Sequence, residues 1–83
     1  MRESAELILY VRKDCHLCSE MISDLNKLQA KLCFYLELVD VDSSLNLVEK
    51  HGEFVPVLMG KNEEICHFHL DPKALDAYLA KIR

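Results

Sequence analysis

The chain has 83 residues, 51% of them hydrophobic, and a formal net charge of −4. That length holds one domain near the lower limit for independent folding, and the acidic balance gives no reason to expect nucleic acid or an anionic membrane surface as partner. No apolar run approaches membrane-spanning length, and the polar start MRESAE has no leader-like pattern, so a cytoplasmic protein with no membrane association is expected. In that compartment four cysteines point to metal ligands, reactive thiols or core residues rather than structural disulfides.

Leu7–Val11, LILYV, is a continuous apolar run and predicts a strand buried on both faces. From residue 15 to residue 32 the period changes. Cys18, Met21, Ile22, Leu25, Leu28 and Leu32 recur three or four apart, the stripe of an amphipathic helix. Cys33–Val41 predicts a second strand, in which Phe34, Leu36 and Leu38 alternate with Tyr35 and Glu37. The polar members of that alternation place it at a sheet edge. Asp42 and Ser43 are candidate N-caps of a short second helix, closed by Gly52.

Phe54–Met59 predicts a third strand with Pro56 near its start. Residues 60–62 turn the chain, and Glu63–Leu70 returns antiparallel, because the connection is too short for a crossover. Asp71 as N-cap and Pro72 at the first helical position open a last helix, with Leu75, Tyr78, Leu79 and Ile82 on its buried face. The order β-α-β-α-β-β-α is that of an α/β fold, a four-stranded mixed sheet flanked by three helices.

The chemistry-bearing segment is DCHLC, residues 14–18. It falls where a strand ends and a helix begins. Cys15 sits where unpaired backbone N–H groups and the positive end of the helix dipole favour an anion, which for cysteine means the nucleophilic thiolate. Cys18 lies one turn later, within disulfide reach and on the apolar stripe. That asymmetry makes Cys15 the attacking thiol and Cys18 the resolving one. Arg12 and Lys13 favour the thiolate, as does His16 when protonated, whereas Asp14 opposes it. Pro56 is the second informative residue. A proline at the head of an inner strand suits a cis Val55–Pro56 bond, which would turn the Val55 backbone toward the cysteines as a docking edge for an extended thiol substrate.

Other chemistry-bearing residues have simpler explanations. Cys33 and Cys66 read as small core residues. His67 and His69 share the outer face of an edge strand, and His51 ends a helix, where a cation is favourable. Phe54, Tyr10 and Tyr78 read as core. A zinc or iron–sulfur centre on Cys15 and Cys18, completed by Cys66, His67 or His69, is the competing chemistry. Against it, Cys66 and His67 point to opposite faces of their strand, and no metal ligand is assigned.

The chain resembles the glutaredoxins and, more broadly, the thioredoxin-like superfamily. The resemblance rests on LILYVRKDCHLC, on DVDSSLNLVEKHGEFVPVL and on the final capped helix, and it spans residues 1–83 as a single glutaredoxin-like domain. It looks most like the small bacterial glutaredoxin-like proteins. Thioredoxins proper carry a buried acid at the position of Leu9. The resemblance implies a thiol–disulfide oxidoreductase with Cys15 and Cys18 as catalytic pair and with Arg12, Val55 and Pro56 binding substrate. Protein or small-molecule disulfides would be its partners, an external thiol its reductant, and a monomer its working form. No cofactor is implied, and glutathione enters only as a co-substrate. The match departs from the family in two places. His16 and Leu17 stand between the cysteines in place of proline and an aromatic. Cys66 and His67 stand where the family has a glycine pair that approaches glutathione, and among the acidic residues that follow that pair only Asp71 lies near. A non-catalytic thioredoxin-like interaction module is the remaining alternative.

Overall fold

The structure, a computed structural model, describes residues 5–82. Residues 1–4, where the polar start begins, and residue 83 lie outside it. The described elements are β1 (Ala5–Val11), α1 (His16–Gln29), β2 (Phe34–Asp40), a 3-10 turn (Val41–Ser43), α2 (Leu45–His51), β3 (Val57–Met59), β4 (Glu64–His67) and α3 (Pro72–Ile82). The strands form one mixed sheet in the order β2-β1-β3-β4. β1 pairs parallel with β2, from Ala5 opposite Phe34 to Val11 opposite Asp40. It pairs antiparallel with β3, with Leu9 opposite Leu58 and Tyr10 opposite Val57. β3 and β4 form the antiparallel hairpin, with a register shift between Leu58 and Met59. The predicted α/β architecture, the edge position of β2 and the element order all hold.

The core lies on one face of the sheet. Leu7 and Leu9 of β1, Leu58 of β3 and Cys66 of β4 pack with Met21 and Leu25 of α1 and Leu75, Tyr78 and Leu79 of α3. Two helices therefore cover this face. The other face is thinner, because α2 has seven residues and none is fully buried. Ile8 and Tyr10 are consequently half-buried, where the apolar run of β1 predicts burial on both faces. Tyr10 stacks on His51 of α2, with ring centroids 4.4 Å apart.

Several boundaries differ from the predicted ones. The chain does not pass from β2 straight into α2. Asp40 Oδ1 accepts the Asp42 N–H at 2.9 Å, and the Ser43 hydroxyl donates to the Asp40 carbonyl at 2.7 Å. These local bonds wind a 3-10 turn and delay the helix, so Ser44 rather than Asp42 or Ser43 takes the N-cap place. β3 begins after Pro56, which has no N–H to give a ladder, and β4 ends at His67. α3 starts as predicted, with Asp71 Oδ1 accepting the Ala74 N–H at 3.1 Å. Ile82 is exposed rather than buried, as are Cys33 and Phe54, so those three core assignments fail.

The β3–β4 turn is held against α3. The Tyr78 hydroxyl accepts the Lys61 N–H at 2.8 Å, and Lys81 pairs with Glu63. A Cβ added to Gly60 would overlap the Tyr78 ring. Gly60→Ala must therefore displace a buried aromatic, and it is expected to cost about 1–3 kcal/mol in urea unfolding. An unchanged midpoint would show that the ring has room to move.

Candidate active site

The local sequence builds the site at the C-terminal end of β1. After Val11 the chain leaves the sheet, and Asp14 takes a left-handed conformation, φ 57°. Asp is one of the few side chains that tolerate this, by bonding locally. The bend sets Cys15 at the N-cap of α1 with extended backbone. Its sulfur accepts the Cys18 N–H at 3.1 Å. One of the orphan donors of the helix start thus points at Cys15 Sγ. Cys15 and Cys18 are joined as a disulfide, with Cα atoms 5.2 Å apart. Cys15 is half-exposed, whereas Cys18 is 3% exposed and lies on the core side of the helix.

An open groove passes the disulfide, lined by Val11, Arg12, Asp14, Cys15, His16 and Cys18 together with the next turn of α1. Two of the expected cations, Arg12 and His16, are committed elsewhere. The Arg12 guanidinium turns to Asp42, with Nε to Oδ2 at 3.1 Å and Nη2 to Oδ1 at 3.0 Å, and its Nη1 donates to the Gly52 carbonyl at 3.2 Å. The hydrogen bond with Asp42 raises the Arg12 pKa above its usual value. His16 is exposed and contacts Glu20 at 2.8 Å, one turn along the helix. The anion-stabilising contact that Cys15 does receive is the Cys18 N–H at the helix terminus.

The Val55–Pro56 bond is cis, as its position predicts. Neither residue lines the groove at the disulfide. They lead into β3 at the same end of the sheet, since Val57 pairs with Tyr10 near the end of β1. The Phe68 N–H donates to the Pro56 carbonyl at 2.9 Å, so the segment after β4 is tied to the proline. Phe68 has φ 66°, a backbone conformation in which glycine is at home and a bulky residue is rare. That position is one residue beyond the Cys66–His67 pair on which the sequence set the family's glycines. Phe54, His67 and Phe68 form an exposed aromatic cluster beside it, with the His67 and Phe68 rings 4.8 Å apart.

The remaining thiols stand apart. Cys66 is buried, and burial pushes its pKa up against the opposing pull of a backbone hydrogen bond from Asp71. Cys66, His67, His69 and Asp71 line a different groove from Cys15 and Cys18. Among the described residues no three His, Cys, Asp or Glu side chains converge as metal ligands, and no helix is long and apolar enough to cross a membrane. Sequence reasoning missed Asp42 as the partner of Arg12 and missed the aromatic cluster. Neither the 30-residue separation of the ion pair nor the left-handed turn at Phe68 leaves a local signal.

Residues 6–80 match the family model of the glutaredoxin-like domain (DUF836). The solution NMR structure of protein Ne2328 from Nitrosomonas europaea is 40% identical, with a TM-score of 0.85 over 94% of each chain. The X-ray structure of XcR50 from X. campestris is 33% identical, with a TM-score of 0.67 over 90% of this chain and 96% of that one. A malarial protein, 22% identical at a TM-score of 0.62 over 95% of this chain and 97% of its own, shares the fold. No curated protein matches.

Proposed function

The chain belongs to the glutaredoxin-like domain family, and from that premise we propose that it is a thiol–disulfide oxidoreductase whose reacting groups are Cys15 and Cys18. The observation that carries this reading is the bridged pair at a helix N-terminus, with the Cys18 N–H directed at Cys15 Sγ. In the reduced protein that N–H and the helix dipole stabilise a Cys15 thiolate. The thiolate attacks one sulfur of a substrate disulfide. A Cys15–substrate bond forms, the substrate S–S bond breaks, and one substrate thiol leaves. The Cys18 thiolate then attacks Cys15 Sγ and releases the second substrate thiol. The two electrons given to substrate leave Cys15 and Cys18 as the disulfide. Two equivalents of an external thiol, or one dithiol, restore the reduced pair.

The burial of Cys18 supports its part as the resolving thiol, because it meets only a sulfur already held at Cys15. Protein or small-molecule disulfides are the substrates in this reading, and the cytoplasm is the compartment in which the dithiol stays reduced. Glutathione fits the site poorly. His67 and the left-handed Phe68 carry side chains into the segment tied to Pro56. The acidic pair that in the family holds the glutamyl amine has no clear match beyond the nearby Asp71, and loss of one such charge-assisted hydrogen bond weakens binding by roughly ten-fold or more.

The test is disulfide reduction by metal-free protein, coupled in parallel to glutathione and to a thioredoxin-reductase system. The expected result is turnover of a protein disulfide, with deglutathionylation about ten-fold or more below that of ordinary dithiol glutaredoxins. Absence of turnover even with excess dithiothreitol would remove the redox reading. Efficient turnover at low glutathione would remove the argument from the substituted segment.

A further inference from the structure

Arg12 is the guanidinium of the groove that passes Cys15, and its fork is already occupied. Asp42 binds it in the side-on bidentate geometry with which arginine takes a carboxylate, through Nε and Nη2. Asp42 is not a loose side chain at the end of a flexible loop. Its N–H is held by Asp40 Oδ1, within a turn closed by the Ser43 hydroxyl on the Asp40 carbonyl. The Gly52 carbonyl takes a third of the five guanidinium donors. The groove itself adds the carboxylate of Asp14, and His16 is matched by Glu20. Arg12 is thus paired with Asp42, and Asp14 adds a second carboxylate to the groove beside the disulfide.

We propose that Asp42 is a built-in occupant of the carboxylate-binding fork beside Cys15. It makes the site discriminate against small thiols and disulfides that carry a carboxylate and in favour of disulfides with no anion at that place. This rests on the redox reading of Cys15 and Cys18 and supplies its specificity. An incoming carboxylate must displace Asp42, whose attachment to the same chain keeps it at high local concentration. The ion pair lies at the surface, with both side chains partly exposed, so its grip is modest. Displacement is expected to weaken carboxylate binding by about five-fold, the upper range for such a pair.

The test compares kcat/KM for dithiodipropionate, a dicarboxylate, with that for the neutral bis(2-hydroxyethyl) disulfide. In Asp42→Asn the anionic-to-neutral ratio is expected to rise about five-fold over the parent chain. Adding Asp42→Asn to an Arg12→Gln background must produce no such rise. An unchanged ratio overturns the proposal. A rise of about five-fold from Arg12→Gln to Arg12→Gln/Asp42→Asn also overturns it, because the gain then comes from removing a charge at long range. A second readout needs no turnover. The Arg12 Nε–H resonance is followed while the reduced protein is titrated with glutarate. A saturable shift whose midpoint lies at about five-fold lower glutarate in Asp42→Asn than in the parent supports the proposal, and equal midpoints overturn it. Asp42→Ser serves as the second variant should the asparagine protein fold poorly. A chain that reduces neither disulfide loses its redox reading, while the titration still decides the part played by Asp42.

Discussion

The Cys15→Ser protein is expected to fold normally and to reduce no disulfide. The substitution separates structure from chemistry because of where Cys15 stands. It is the N-cap of α1, and its side chain already accepts the Cys18 N–H. Serine is among the best N-cap residues, so the helix keeps its cap and stability should hold within about 0.5 kcal/mol of the reduced parent protein, which likewise lacks the Cys15–Cys18 bridge. A serine hydroxyl is not ionised at neutral pH, so the nucleophile is lost and the rate falls to that of the uncatalysed exchange. Cys18→Ser has the opposite signature. The first attack proceeds, but nothing resolves the product, and a mixed disulfide accumulates on Cys15. Cys33 is exposed and reacts on its own account, so the trapping belongs in a Cys33→Ser background. Peptide mapping by mass spectrometry decides the outcome. An adduct on Cys66, or residual turnover in Cys15→Ser, would reassign the reacting thiol.

The part of the site that was legible in the sequence is the part built locally. A strand run, a short connection and a Cys-x-x-Cys on an apolar stripe put Cys15 at a helix start and Cys18 on its inner face, and the described geometry has both. Pro56 is legible for the same reason, since a residue with no N–H must stand outside the ladder. The last helix is legible from Asp71 and Pro72, whose cap is present. What escaped the sequence is what depends on partners far along the chain. Arg12 offers a cation three residues before Cys15, yet its direction is decided by Asp42 and Gly52. Nothing near Arg12 in the sequence signals that commitment.

The misplaced hydrophobic residues have a different cause. Leu38, Leu45 and Phe54 are exposed although the pattern puts Leu38 and Phe54 inside. A chain this small has a large surface for its volume, and apolar side chains must cover part of it. The thin face over α2 is where that shortage shows, since Leu45 opens the helix at the surface and the half-buried Tyr10 is covered by its stack on His51. Cys33 precedes β2 at the end of the sheet opposite Cys15, where Ala5 and Phe34 pair, and it meets no core there. The same shortage makes the covered face carry most of the stability.

The largest stability effect is therefore expected at Leu9. It sits at the middle of β1, a central strand, and is fully buried. It faces Leu58 across the β1–β3 pairing and shares a cluster with Met21, Leu25 and Leu75. Leu9→Ala removes three carbons from a site with strands on either side and two helices above it, so the surroundings have little freedom to collapse. The expected loss is about 2–5 kcal/mol in urea unfolding. A domain of this size has of the order of 4–12 kcal/mol in total. The melting temperature should accordingly fall by roughly 8–40 °C, at about 4–8 °C per kcal/mol. Leu45→Ala is the matched control. It deletes the same atoms from a side chain 83% exposed and should change stability by less than about 0.5 kcal/mol. Equal effects of the two substitutions would mean that the face under α1 and α3 is not the core. A loss at Leu9 below about 1 kcal/mol would mean that β1 is not the strand that anchors Cys15 to that core.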